Sequence, residues 1–414
     1  CACCRERRTR LVRMLIVSPL LTTASVLLLL SSPLNKIPNY LTGKVALDER
    51  VIFFPTAANQ LNSTHWNVPI HGWIFEPEHE SKKRKAFVKI LQTFFRVKNK
   101  EEKQILKRRV MPFVVDNQSL KFVNIKISGG TNNSNSNNKI HRMPRSAKDG
   151  HFFHDLILHE NELNPNKDGI VTFHTIDGVG DYARSNNDNN DSKDVNNKAR
   201  IFTGHVHLIP PTGISIVSDI DDTVKITNYL DKKEFYKNTF IREFKVVPGM
   251  VELYQKLYNN NNYKSSQLQQ FSDNEINNCS FHFVSASPYQ LFEELYKFLI
   301  EKVGFPYATF HLKKIRVKDK TLLELLSDPQ DYKIRQIEPL LQKFPGRKFI
   351  FVGDSGEKDI EVYIELYNKY PKQIHKIWIR NVNNATDDRF RSLLENDDSN
   401  SIWQYFNDGT DIII

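Results

Sequence analysis

Ile214-Ser215-Ile216-Val217-Ser218-Asp219-Ile220-Asp221-Asp222-Thr223 joins a short apolar run to three carboxylates. The β-branched run reads as a buried strand, and the acidic residues that follow lie at its carboxyl end. In extended chain, side chains two apart share a face, so Asp219 and Asp221 point the same way. Open α/β sheets bind ligands at that edge. One carboxylate there can attack phosphorus while the other carries a proton. A lone Asp-x-Asp is more often just an acidic loop start, so the rest of the chain must decide.

From Ile214 onward, strands and helices alternate. Pro248-Gly249 introduces a helix through Tyr258, and Phe281–Val284 reads as a strand followed by a helix over Tyr289–Val303. Asp331–Phe344 reads as a helix, Lys348–Val352 as a strand, Asp359–Tyr370 as a helix and His375–Ile379 as a strand. This rhythm predicts an α/β domain, a doubly wound parallel sheet with helices on both faces. The strand ends at Asp219, Ser285 and Asp354 then line one edge. Gly353-Asp354-Ser355-Gly356-Glu357-Lys358-Asp359 is a carboxylate-rich turn whose glycines let backbone approach a ligand closely. Its oxygen donors suit a hard cation such as magnesium.

Upstream, from about Ala46 to Pro211, many short alternating runs predict a β-rich, sandwich-like domain. They include Arg50–Phe54, Trp66–Phe75, Lys121–Ile127, His151–Leu158, Ile170–Thr175 and Ile201–Leu208. Phe87, Ile90, Leu91 and Phe94 at helical spacing predict one interrupting helix over Lys82–Phe95. Asn-rich tracts at 131–138, 186–197 and 259–262 read as surface-loop insertions. The expected organisation is 1–45 as basic flank, hydrophobic leader or anchor and linker, 46–211 as the β-rich domain, 212–390 as the catalytic domain and 391–414 as a C-terminal tail.

Lys plus Arg exceed Asp plus Glu by 58 to 48, with basic clusters at Arg5–Arg13, Lys82–Lys85 and Lys98–Arg109. Such clusters favour an anionic partner surface. No zinc finger, RNP-type or helix-turn-helix signature accompanies them, so a membrane is expected rather than nucleic acid. Met14–Leu34 carries no charge and follows five arginines, a pattern shared by a membrane anchor, a secretory signal and an organelle transit leader. Association with a membrane through this segment is the expectation, and a cytoplasmic protein is the alternative. Cys1, Cys3, Cys4 and Cys279 form no disulfide framework.

Asp219-Ile220-Asp221-Asp222-Thr223, the strand ending in Ser285, a downstream lysine and Gly353-Asp354 followed by Asp359 resemble the four motifs of the haloacid dehalogenase (HAD) superfamily of phosphatases. Phe281–Leu291, Phe310-His311-Leu312-Lys313, Phe344–Phe349 and Gly353–Glu357 resemble, more narrowly, the actin-patch-protein family of magnesium-dependent phosphatidate phosphatases. Phe53-Phe54-Pro55-Thr56 and His71-Gly72-Trp73 extend the resemblance upstream, so that it spans roughly Arg50 to Arg380. Ala286 and Tyr289 depart from it, standing where the family often has Asn and Trp.

The resemblance implies a HAD-like sheet and hydrolysis of phosphatidate to diacylglycerol and phosphate through an aspartyl-phosphate. Asp219 would be the nucleophile and Asp221 the acid and base, while Ser285 and a lysine hold the phosphoryl oxygens. Asp219, Asp354 and the Asp221 carbonyl would bind Mg2+, with Asp359 as a further ligand or a support. Thr223, Ser287 and Lys313 would meet the substrate. The motif lysine is expected at Lys333, at the start of the helix that feeds the strand ending at Asp354, with Lys313 as its competitor. The implied partner is phospholipid at a membrane surface, without nucleic acid. Two alternatives stay open, a phosphatase of soluble phosphomonoesters or phosphoproteins, and a membrane-associated interaction module with an idle phosphatase domain.

Overall fold

A computed structural model of the chain describes residues 43–77, 82–128, 139–176, 201–259, 278–314, 330–394 and 402–414. The Met14–Leu34 segment and the Asn-rich tracts, apart from Asn259, lie outside the described residues. Among the described residues no helix is long and apolar enough to cross a membrane.

Nine strands come first: β1 (Arg50–Phe54), β2 (Thr56–Gln60), β3 (His65–Glu76), β4 (Asp116–Asn117), β5 (Asn124–Ile127), β6 (His141–Arg142), β7 (His151–His159), β8 (Ile170–Thr175) and β9 (Thr203–Ile209). They form one hydrogen-bonded sheet. β3 pairs with β7 along one side and with β1 and β2 along the other, and β9, β8, β5 and β6 continue outward from β2. The sheet is curled, and Phe53 of β1 meets Phe152 of β7 over Gly72 and Phe173 of β8 over Gly204 edge-on, with ring centroids 6.0 and 4.8 Å apart. The sandwich expectation is thereby corrected to a single curled sheet. Alternation reports that one face of a strand is buried and not which sheet the strand joins.

Two helices interrupt this sheet, α1 (Lys82–Phe94) and α2 (Lys100–Val110). The second was not expected, because the charged stretch hides a narrow apolar face of Ile105, Leu106 and Val110. Its ends are nonetheless well made. Asn99 caps the Glu102 amide, acidic residues occupy the first turn and basic residues the last, which matches the helix dipole. Arg109, from the basic run, is buried. It donates to the carbonyls of Thr239 and Arg242 at 2.9 and 2.7 Å, and its guanidinium lies 3.5 Å over the Phe244 ring.

The alternating part folds as a six-stranded, all-parallel sheet of β10 (Gly213–Ser218), β11 (Cys279–Pro288), β12 (Ala308–Lys313), β13 (Arg347–Asp354), β14 (Ile374–Arg380) and β15 (Trp403–Phe406). Helices α3 (Lys232–Phe240), α4 (Met250–Tyr258), α5 (Phe292–Tyr296), α6 (Gln330–Lys343), α7 (Asp359–Lys369) and α8 (Asp387–Arg391) accompany it. Ile214 and Ile216 pack on one face with Leu253 of α4, while Val217 packs on the other with Leu341 of α6 and Ile364 of α7. The fold is α/β. Trp403–Phe406, from the stretch read as a tail, supplies the edge strand, and four residues are too few to announce a strand by periodicity.

The spatial order is β12-β11-β10-β13-β14-β15. The chain runs outward from β10 to β12 and returns to β13 on the far side of β10. The carboxyl ends of β10 and β13 therefore flank a topological switch point, where loops diverge and leave a crevice. The two sheets share apolar packing, because Ile52, Phe54, Trp73 and Phe75 of the curled sheet join the same cluster as Tyr289 and Phe292. Trp73 and Tyr289 meet edge to face at 4.9 Å. Tyr289, the departure from the family pattern, is thus a packing residue at the junction of the sheets.

Candidate active site

β10 delivers Asp219 to the switch point by continuing its ladder for one residue, the Asp219 amide donating to the Val352 carbonyl at 2.9 Å. Ser218 turns its hydroxyl to the Asp219 carbonyl at 2.7 Å and receives the Tyr254 hydroxyl at 2.7 Å. The loop that follows is held by Asp222. Its carboxylate accepts the amides of Thr227, Asn228 and Tyr229 at 2.7, 2.8 and 2.5 Å, and its backbone lies at φ 56°, a conformation aspartate tolerates better than most residues. Its carbonyl receives Arg380 from the end of β14 at 2.8 Å.

The expected site residues converge. Lys333, fully buried on α6, places its ammonium 2.9 Å from Asp219 Oδ1 and 3.0 Å from Glu357 Oε2, and it also donates to Asp359 Oδ1. The Thr223 hydroxyl donates to Asp219 Oδ2 at 3.3 Å. Ser285 and Ser287, where β11 bulges, donate to Asp221 Oδ2 at 3.2 and 2.7 Å. Lys313 closes β12, two strands from β10, so the ammonium beside Asp219 belongs to Lys333.

Asp354 Oδ1 accepts the amides of Gly356 and Glu357 at 2.7 and 3.1 Å. Its Oδ2 is buried without a hydrogen-bond partner among the described residues. One carboxylate oxygen from each of Asp219, Asp354 and Asp359 lies within 4.8 Å of the others. An oxygen-only donor set with an orphaned carboxylate oxygen fits a hard divalent cation. Asp359 is the most occupied of the three, since its Oδ2 already accepts the Asp354 amide at 3.1 Å. A Cβ on Gly353 would come within 2.5 Å of that same oxygen, so the glycine makes room for Asp359 rather than for a ligand.

Burial dominates the electrostatics. It pushes Asp219 well above the ordinary carboxylate range, with Lys333 opposing and Asp359, Glu357 and Asp354 reinforcing the shift. Burial, then Asp359 and Glu357, likewise raise Asp354. Glu357 is pushed up to about 7 by burial, against the pull of Lys333. Burial disfavours the Lys333 charge too, but the surrounding carboxylates outweigh it and hold its pKa well above the usual lysine value. Asp221 behaves differently. Burial would raise it, yet Lys225, Ser287 and Thr227 together bring it below the ordinary value.

Lys225 and Thr227 were not singled out in the sequence. Lys225 Nζ lies 2.5 Å from Asp221 Oδ1, and the Thr227 hydroxyl donates to the same oxygen at 2.7 Å. A lysine inside a buried acidic loop was the only available signal. Glu357 stood in the carboxylate-rich turn, but its partner Lys333 is 24 residues away in sequence. His282 and His311 stay out of the acidic cluster and share the Thr309 hydroxyl instead, at 2.8 and 3.0 Å.

Residues 214–381 match the family described as "Phosphatidate phosphatase APP1, catalytic domain". A stretch of 185 residues is 31% identical to "Phosphatidate phosphatase APP1" of Saccharomyces cerevisiae, covering 44% of this chain and 28% of that protein. A stretch of 187 residues is 26% identical to "Uncharacterized protein C29B5.04c" of Schizosaccharomyces pombe, covering 44% of this chain and 27% of that protein. The matched stretch thus spans just over a quarter of the length of either relative. Residues 214–381, the segment that carries β10, β13 and the acidic crevice between them, are thus similar to the catalytic domain of the phosphatidate phosphatase APP1 family.

Proposed function

We propose that the protein is a magnesium-dependent phosphatidate phosphatase with a HAD-like catalytic sheet, acting on phospholipid at a membrane surface and releasing diacylglycerol and phosphate. The observation that carries the reading is the Asp219–Lys333 pair facing the orphaned Asp354 oxygen at the switch point of a parallel sheet.

Asp219 attacks phosphorus. A bond forms from its carboxylate oxygen as the bond to the diacylglycerol oxygen breaks, which leaves an aspartyl-phosphate. Asp221 gives a proton to the departing oxygen and then takes one from the water that attacks the phosphorus and frees Asp219. Lys333 and Ser285 hold the phosphoryl oxygens, where charge spreads in the transition state. Asp219, Asp354 and the Asp221 carbonyl would hold Mg2+, with Asp359 in support. When bound, the ion supplies positive charge that keeps the raised Asp219 and Asp354 carboxyls ionised.

The resting contacts of Asp221 support this division of roles. Ser285 and Ser287 donate to its Oδ2, so the hydroxyls that would bind a phosphoryl group are engaged by Asp221. Lys225 is the main group that lowers the Asp221 pKa and stays in place, while a substrate that draws Ser287 away removes a smaller lowering donor and moves the pKa upward. The reading is tested by phosphate release from phosphatidate in mixed micelles and from soluble phosphomonoesters at equal concentration. Marked preference for phosphatidate is expected. Comparable rates would assign the same mechanism to soluble substrates.

A further inference from the structure

The α1–α2 hairpin carries an apolar surface that the rest of the described residues leave uncovered. Leu91 is buried toward the core, as is Phe95 just beyond the end of α1, but Ile90 and Phe94 are 65% and 56% exposed. Four residues apart, they lie one turn above the other on the outward face of α1. Scattered exposed aliphatics need no explanation, whereas a paired isoleucine and phenylalanine in a hairpin rich in exposed cations does. Lys89, Arg96, Lys98, Lys100, Lys103 and Lys107 are all exposed in this hairpin. Lys100, Lys103 and Lys107 follow helical spacing along α2 and are exposed where the neighbouring Ile105, Leu106 and Val110 are buried. Glu101 and Glu102 are the acidic residues in the same stretch, and Glu102 is spent on the Lys98 amide at 2.8 Å.

The hairpin is fixed to the catalytic side of the molecule. Phe95 stacks on Phe240 of α3 at 6.0 Å, and Arg109 holds the carbonyls of Thr239 and Arg242 at the end of α3. α3 directly follows the loop whose amides Asp222 holds. Leu230, in that connection, is 57% exposed, and its Cγ lies 3.5 Å from where a Cβ on Gly356 would stand.

We propose that the α1–α2 hairpin docks the protein on an anionic lipid surface, with Ile90 and Phe94 entering the acyl boundary and the lysines meeting the headgroups. An apolar face bordered by cations is what an interfacial helix requires, and charge complementarity selects an anionic surface over a neutral one. The inference deepens the phosphatidate reading, because it specifies how a site for a membrane lipid is brought to its substrate.

The test uses the full chain and vesicles of phosphatidylcholine with phosphatidylserine, which contain no phosphatidate, so that docking is read apart from catalysis. Phe94→Trp adds an exposed indole to a protein whose Trp73, Trp378 and Trp403 are buried and whose Trp66 is half-buried, so the added emission is read as the difference from wild type. On anionic vesicles with brominated acyl chains, the emission gained in Phe94→Trp is expected to shift to the blue and be quenched, with no change on neutral vesicles. Adding Lys89→Glu, Lys103→Glu and Lys107→Glu should weaken the vesicle concentration dependence of that signal by about 100-fold. If Phe94→Trp sediments with anionic vesicles while its added emission is neither shifted nor quenched, the protein binds by another surface and the proposal is overturned. Absence of binding to anionic vesicles overturns it as well. Docking that persists in a protein unable to hydrolyse phosphatidate would instead remove the proposed function and leave the hairpin's role standing.

Discussion

Three consecutive backbone amides, Thr227, Asn228 and Tyr229, end on the Asp222 carboxylate, and Asp222 itself sits at φ 56°. One side chain therefore sets the path of the loop that leaves Asp219 and Asp221 facing the crevice. Hydrogen bonds to a buried charged group are among the stronger ones, and leaving their donors unsatisfied adds to the loss. Asp222→Ala is expected to cost about 3 kcal/mol in urea denaturation. It should also lower phosphate release at least about tenfold by letting the loop drift. A stability change within about 0.5 kcal/mol would show that other contacts hold the loop. At this scale the sequence was legible where a residue ends an apolar strand, as Asp219 and Asp354 do. It was silent on Asp222 and Lys225, whose work is done with local amides and a buried carboxylate that leave no mark on periodicity.

Between whole elements, a histidine buried at the seam of the two sheets contributes a pH dependence. His207 of β9 is 8% exposed, packs its ring edge-on against Tyr307 at 5.9 Å and has an Nδ1 without a partner among the described residues. Burial, reinforced by the Arg347 charge and opposed by Asp168, lowers its pKa to about 4. The folded state therefore stays neutral at His207 where the unfolded chain takes up a proton. The stability is fully present above the unfolded value of about 6.5 and is lost as pH falls toward about 4. The full window corresponds to a loss on the order of 3 kcal/mol. His207→Phe keeps a ring in place and removes the titration, so its urea midpoint should fall less than that of wild type between pH 6.5 and 4.5. Parallel curves for the two proteins would contradict the assignment. Elements were legible in the sequence in proportion to their apolar regularity. β10, β11, β13 and β14 stood out, whereas α2, with its charged sequence, and β15, with four residues, did not.

For the whole molecule, the order β12-β11-β10-β13-β14-β15 converts two distant acidic motifs into one crevice. The curled sheet closes on the same packing through Phe54, which meets Phe292 at 4.9 Å. Strand–helix alternation announced the parallel sheet, but the curl of the first sheet depends on pairings between strands far apart in sequence, such as β3 with β7, which composition does not encode. The central claim is that this assembly presents Asp219 as a nucleophile, held beside Lys333 in a cluster able to take a divalent cation. The most direct measurement compares magnesium-dependent phosphate release from phosphatidate by wild type and Asp219→Asn, with folding of both followed by circular dichroism. The account predicts release by wild type that chelation abolishes, and a loss of at least about 1000-fold in a folded Asp219→Asn protein. Release by Asp219→Asn at a rate close to that of wild type would contradict it.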